Sequence, residues 1–229
     1  GRVGGLLSPL LSHGQTPSGT INVGTSAYAN SYDPHSWISD DGRMIGAHIF
    51  ESLVTRDYQP MLATSWENPD KNTWIFSLRK GVEFTNGEAF DASVVKFNLQ
   101  RYMDPETKAL FRGLMEPVES VEEVDKYTVK IKTKTPYSVL IYVLRDIHMM
   151  SPKAVKEFGK DIVRKPVGTG PFVFKEWTPM ERTVIEANPN YWGKEAPIKK
   201  IIIRYFADTT TMRLALEKGE IDLAFKSMN

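Results

Sequence analysis

Apolar and polar positions alternate over Thr20–Thr25, where Ile21 and Val23 interleave with Asn22 and Gly24, and this period predicts a first strand. A loop from Ser26 to Ser39 follows, rich in Tyr, Asn, Asp and Pro. Ile45, Ile49 and Leu53 then recur at helical spacing and predict a helix over Asp40 to Leu53, with Asp40 or Asp41 as its N-cap. The period returns to two at Thr73–Arg79, where Trp74, Phe76 and Leu78 share one face of a strand entered through the turn Pro69-Asp70-Lys71-Asn72. Asn86-Gly87 marks another turn, and Asp91 caps a helix whose Val95, Leu99 and Tyr102 fall on one side. Tyr127, Val129 and Ile131 define the next strand, to Thr133. Short helices are expected from Pro136 to Leu144 and from Ser151-Pro152.

Beyond Pro166 the texture changes. Phe172 to Trp177 and Arg182 to Ala187 read as a hairpin joined by Thr178-Pro179-Met180-Glu181, followed by an aromatic turn at Asn188–Gly193. Three consecutive isoleucines in Lys200–Phe206 predict a strand buried on both faces. A helix from Asp208 to Lys218, ended by Gly219, and a strand over Ile221–Phe225 complete a strand–helix–strand unit of the right-handed crossover kind. The class is therefore α/β or mixed α+β with an inserted β-rich part.

Composition narrows the function. In 229 residues, 29 Lys and Arg face 28 Asp and Glu, so no basic excess supports a dedicated nucleic-acid binder. Cysteine is absent, which removes disulfides, thiolate metal sites and cysteine nucleophiles. No apolar run approaches the ~18–20 residues of a membrane span. The first 19 residues read as a loose tail. Gly168-Thr169-Gly170 lacks the third glycine of a dinucleotide loop and leads into a strand, so it reads as a tight turn. No nucleophile–base pattern stands out, and the 28 carboxylates offer no privileged pair. His48 reads as a packed side chain, while His35 and His148 lie in or near loops and stay open as ligand contacts. Tyr28, Tyr32 and Trp37 either seal a core edge or line a crevice at the end of the first strand. Arg145, Asp146 and His148 suit carboxylate recognition or, equally, a solvated helix end.

Several phrases taken in order carry a resemblance. These are Ile49-Phe50-Glu51-Ser52-Leu53-Val54, then Leu62-Ala63-Thr64-Ser65-Trp66-Glu67 continued from Trp74 through Asn86-Gly87-Glu88-Ala89-Phe90-Asp91, then Val167–Phe172 with Asn188–Gly193, and Gly219-Glu220-Ile221-Asp222-Leu223. Together they resemble the extracytoplasmic solute-binding proteins of ABC importers, in the family that takes dipeptides, oligopeptides, glutathione and nickel chelates. The resemblance implies an α/β, type II periplasmic-binding-protein-like fold, here the first lobe with its inserted subdomain and without the second lobe. Residues 20–55 and 167–229 would form the lobe core and 56–166 the insertion.

The same likeness implies a non-catalytic protein without cofactor, a monomer that delivers a peptide or small solute to ABC permease subunits. It implies a periplasmic or extracytoplasmic location, with membrane anchoring of the precursor left open. Capture of a metal chelate, or a role as a receptor or interaction module, stands as the alternative. Carried over by position, the ligand contacts are Trp37, Ile38 and Ser39, with Phe111 flanked by Lys108 and Arg112, and Arg145 or His148 at the place where nickel-chelate relatives keep an arginine. The signature around Trp74 builds scaffold and touches no ligand.

Overall fold

A computed structural model describes residues 19–26, 29–36 and 40–225, the side chains of Asp40 and Asp41 excepted. Thr20–Thr25 (β1) takes its alternation into a five-stranded sheet. The other members are Phe172–Thr178 (β8), Arg182–Ala187 (β9), Lys200–Tyr205 (β10) and Leu223–Phe225 (β11). Their order is β11-β1-β10-β9-β8, with β1 parallel to both β10 and β11 and the β8–β9 and β9–β10 pairs antiparallel. The parallel pairs follow from the crossover through the helix Thr209–Glu217 (α5), whose N-cap Asp208 accepts from the Thr211 N–H at 2.7 Å.

The isoleucine strand differs from expectation. Only Ile203 is buried; Ile201 and Ile202 are half-buried. The helix Asp40–Ile49 (α1) packs against β8 and α5 against β1 and β11, so neither lies squarely over β10.

That first helix also stops four residues short of Leu53. Phe50 N–H still reaches the Gly46 carbonyl, but Glu51–Ser52 (β2) leaves the helix to pair antiparallel with His148–Met149 (β7). A tertiary ladder here overrides the local helical period.

The second sheet contains Ala63–Asp70 (β3), Thr73–Leu78 (β4), Val118–Asp125 (β5) and Thr128–Thr133 (β6), in the order β3-β4-β6-β5 with antiparallel neighbours. Phe76, Val129 and Ile131 point inward from its middle strands and are fully buried. The helix Ala92–Met103 (α2) covers that face with Val94, Val95, Leu99 and Tyr102, and Asp91 caps it by accepting from Ser93 N–H. β3 and β5 carry register shifts, which break the alternation that would have announced them.

Asn98, fully buried on α2, ties this layer to the segment after β7. Its amide donates to the Met150 carbonyl at 2.9 Å, and its oxygen accepts the Met150 N–H at 3.0 Å. Leu140–Leu144 (α3) and Pro152–Phe158 (α4) complete the regular elements, with Ser151 capping α4 through the Ala154 N–H.

Two joints lock the sheets together. At the first, the Gly168-Thr169-Gly170 strip lies directly on the end of α1, and Gly170 N–H donates to the Ile49 carbonyl at 2.9 Å. A β-carbon on Gly168 would sit 2.0 Å from that carbonyl oxygen. The tight turn is thus a close backbone crossing.

Glu51 forms the second joint. Its buried carboxylate accepts from Thr169 Oγ1 at 2.8 Å, Tyr191 Oη at 2.7 Å and Trp192 Nε1 at 2.8 Å. Arg79 lies over the Trp192 ring at 4.2 Å.

Candidate functional site

A cleft of about 760 Å³ opens between α1 and the end of α3. One wall is the last turn of α1, with Met44, Ala47 and His48. His48, read from the sequence as a packed side chain, stands edge-on to Phe172 yet is exposed at the cleft rim. The helix ends at Ile49, and its final turn therefore borders open space instead of continuing into the core.

The opposite wall is built around Arg145. Its guanidinium lies 3.9 Å from the Tyr142 ring centroid and 5.3 Å from that of Tyr58. Nη1 donates to Tyr58 Oη at 2.8 Å and to the Arg56 carbonyl at 3.4 Å, while Nε faces Asp146 Oδ2 at 3.3 Å. Tyr58 reaches this position from a tight turn in which it adopts φ 60°, a left-handed conformation uncommon for an aromatic residue. The rings and the aspartate fix the plane of the guanidinium, and among the described residues none takes a hydrogen bond from its Nη2, the geometry that suits a carboxylate.

The floor is a polar relay from the loop after β1. Arg101 pairs through both terminal nitrogens with buried Asp33, and Nη1 also donates to His35 Nδ1 at 2.8 Å. His35 must therefore carry its proton on Nε2, which donates to the His148 carbonyl at 2.9 Å. Burial, reinforced by the Arg101 charge, holds the His35 imidazole down to about 4. Burial likewise holds His148 down to about 4. Both rings are neutral at pH 7.

An unfolded chain protonates His35 near the ordinary value of 6.5, whereas the folded chain waits until about pH 4. Stability should therefore fall as pH drops through that window, by about 1–2 kcal/mol between pH 7 and pH 5. Urea midpoints at the two pH values measure it. His35→Gln should flatten this share of the slope, and an unchanged slope would contradict the assignment.

The candidates read from the sequence separate on this frame. Arg145, His148 and Phe111 line the cleft, Phe111 with half of its surface exposed. Lys108 is exposed at a chain reversal with φ 55° and lies outside the cleft wall. Arg112 borders a different recess of about 240 Å³, beside Lys134 and Met115. Trp37, Ile38 and Ser39 lie outside the described residues, as does Tyr28. Tyr32 is core: it has no exposed surface, its hydroxyl meets Thr183 Oγ1 at 2.6 Å, and Phe174 and Trp177 pack on its ring.

The sequence reading missed Arg43, Arg56, Tyr142 and the last turn of α1 as cleft walls. Tyr142, three residues before Arg145, was the one visible signal, since that spacing stacks side chains on a helical turn. Among the described residues, no group of three or more His, Asp or Glu is placed to hold a metal ion. No helix among them is long and apolar enough to cross a membrane.

Comparison with known proteins agrees with this architecture. Residues 57–227 match the family model described as bacterial extracellular solute-binding proteins, family 5 Middle. The chain is similar to the glutathione-binding protein GsiB of Pectobacterium atrosepticum, with 35% identity over 203 residues, 85% of this chain and 40% of the relative. It is similar to the nickel-binding periplasmic protein of Escherichia coli K12, with 32% identity over 188 residues, 77% of this chain and 36% of that protein. Among solved structures, the binding protein MoaA from A. tumefaciens R10, in complex with mannopinic acid, superposes with a TM-score of 0.86 at 29% identity, over 91% of this chain and 45% of that one. The chain spans less than half the length of these proteins. The order of its elements, its cleft and the match over residues 57–227 place the chain in the family 5 bacterial extracellular solute-binding proteins.

Proposed function

We propose that this chain supplies one jaw of the substrate-binding component of an ABC importer, which captures a short peptide or similar small solute and hands it to a membrane permease. The observation that carries the reading is the oriented guanidinium of Arg145, held by two tyrosines and Asp146 in the wall of an open cleft. Such a group grips a carboxylate without chemistry, and binding energy is then available for shifting the equilibrium toward a closed form. The protein is read as non-catalytic, monomeric, indifferent to nucleic acid and located in the periplasm or outside the cytoplasmic membrane. The two sheets support residues 20–55 and 167–229 as a core, with 56–166 as an insertion.

The apolar rim of Leu110, Phe111 and Leu114 favours an organic solute over a bare ion, since these side chains are exposed beside the guanidinium. Ligand screening by thermal shift on the full-length protein separates the alternatives, using dipeptides, glutathione, and Ni(II) with and without free histidine. Arg145→Gln is expected to weaken the best binder about tenfold or more, through loss of a charge-assisted hydrogen bond. Equal affinities in wild type and variant would remove Arg145 from the site.

A further inference from the structure

Arg43 and Arg56 join Arg145 as cations of this cleft; Arg43 is engaged elsewhere, whereas Arg56 has no partner among the described residues. The Arg56 guanidinium makes no hydrogen bond or ion pair with any of them, although it borders the same cavity as Arg145. Its position is fixed by the backbone. The antiparallel pairing of Ser52 with His148 sends the chain leaving β2 and the chain entering β7 out on the same side. Four residues on from Ser52 lies Arg56; three residues back from His148 lies Arg145. Arg145 Nη1 then donates to the Arg56 carbonyl at 3.4 Å, so the Arg145 side chain reaches across to the turn that carries Arg56.

The wall offers little to balance them. Asp146 is its one acidic residue among those described, and that carboxylate is already directed at Arg145 Nε. The neighbouring histidines add no negative charge. His148 is neutral at pH 7, with burial as the main cause and the Arg56 charge acting in the same direction. Two guanidinium groups with open donor edges, against a single engaged carboxylate, make a poor seat for an ammonium group, which would meet like charge from both sides. They suit a ligand with two anionic groups.

Building on the solute-capture reading, we propose that the cleft selects a small organic acid bearing two carboxylates, one on Arg145 and the second on Arg56, over a simple zwitterionic dipeptide. Arg56 is then the residue that determines ligand charge. The apolar rim at Phe111 and Leu114 covers the carbon skeleton between the two carboxylates.

Calorimetry on the full-length protein tests this with matched probes: glutarate against its monomethyl ester, glutathione against its monoethyl ester, and dialanine. The expected result is that the two-carboxylate probes bind about tenfold or more tightly than their monoesters, the size of one charge-assisted contact. Arg56→Gln should bring that ratio to about one, with the Tm of the unliganded protein unchanged. A ratio that survives in Arg56→Gln overturns the proposal, and so does dialanine binding as tightly as the two-carboxylate probes; in either case solute capture itself stands. If no probe binds, the dicarboxylate assignment falls, and the thermal-shift screen with dipeptides and Ni(II) decides solute capture separately.

Discussion

Replacing Glu51 by alanine should destabilise the fold by about 3–5 kcal/mol, since three donors lose their shared acceptor and each buried group left unsatisfied costs about 1–3 kcal/mol. For a chain of this size that is a fall in Tm of roughly 10–15 °C. Thr169, Tyr191 and Trp192 all donate to the Glu51 carboxylate, and in the variant buried Thr169 and the half-buried Tyr191 and Trp192 lose that acceptor. Glu51→Gln should cost far less. Its amide oxygen can take the Thr169 and Trp192 donors, and its NH2 can donate to the Tyr191 hydroxyl, which reverses its role.

The same pair of proteins carries a pH signature. Burial raises the Glu51 pKa despite its three donors, so the native state retains a proton that the unfolded chain releases near 4.5. The contribution is fully present below pH 4.5 and is lost as pH rises through the higher folded value. The stability of wild type relative to Glu51→Gln should therefore decline as pH rises from about 4.5 toward neutrality. A difference that stays flat across this range would mean that the carboxylate is not raised.

Gly168→Ala is the second large effect, above about 3 kcal/mol, because overpacking against backbone cannot be relieved by turning a side chain. The added methyl would lie 2.0 Å from the Ile49 oxygen and 2.8 Å from its carbonyl carbon. The end of α1 and the strip carrying Thr169 must separate, which also strains the Glu51 joint. Gly113→Ala serves as the control. Nothing lies within 4 Å of its β-carbon position and its φ is not positive, so its change should stay within about 0.5 kcal/mol. Denaturant midpoints of the two variants decide the matter, and similar values would refute the crossing as a steric constraint.

Much of this architecture was legible in the residues. The alternation at Thr73–Leu78 and Thr128–Thr133, the cap at Asp91 and the hairpin through Met180 all appear where the pattern places them. Local chemistry decides such elements. β3 and β5 were not legible, because register shifts scramble their period, and the end of α1 was misplaced because its last turn yields to a ladder with residues nearly 100 positions away. The site was half legible for a related reason. Arg145 follows an apolar helix and stands beside an aspartate and a histidine, whereas Arg56, though followed by Asp57 and Tyr58, sits in a turn with nothing in the sequence to tie it to Arg145. Only the pairing of β2 with β7 brings it alongside Arg145.

That two-residue ladder works as a caliper. Because Arg56 and Arg145 both lie just past the same end of it, the pairing sets where each grip leaves the backbone. Lengthening the span between Ser52 and Arg56 by one residue would shift Arg56 and Tyr58 against Arg145 and so reset the gauge, at the cost of disturbing buried Leu53 and Val54.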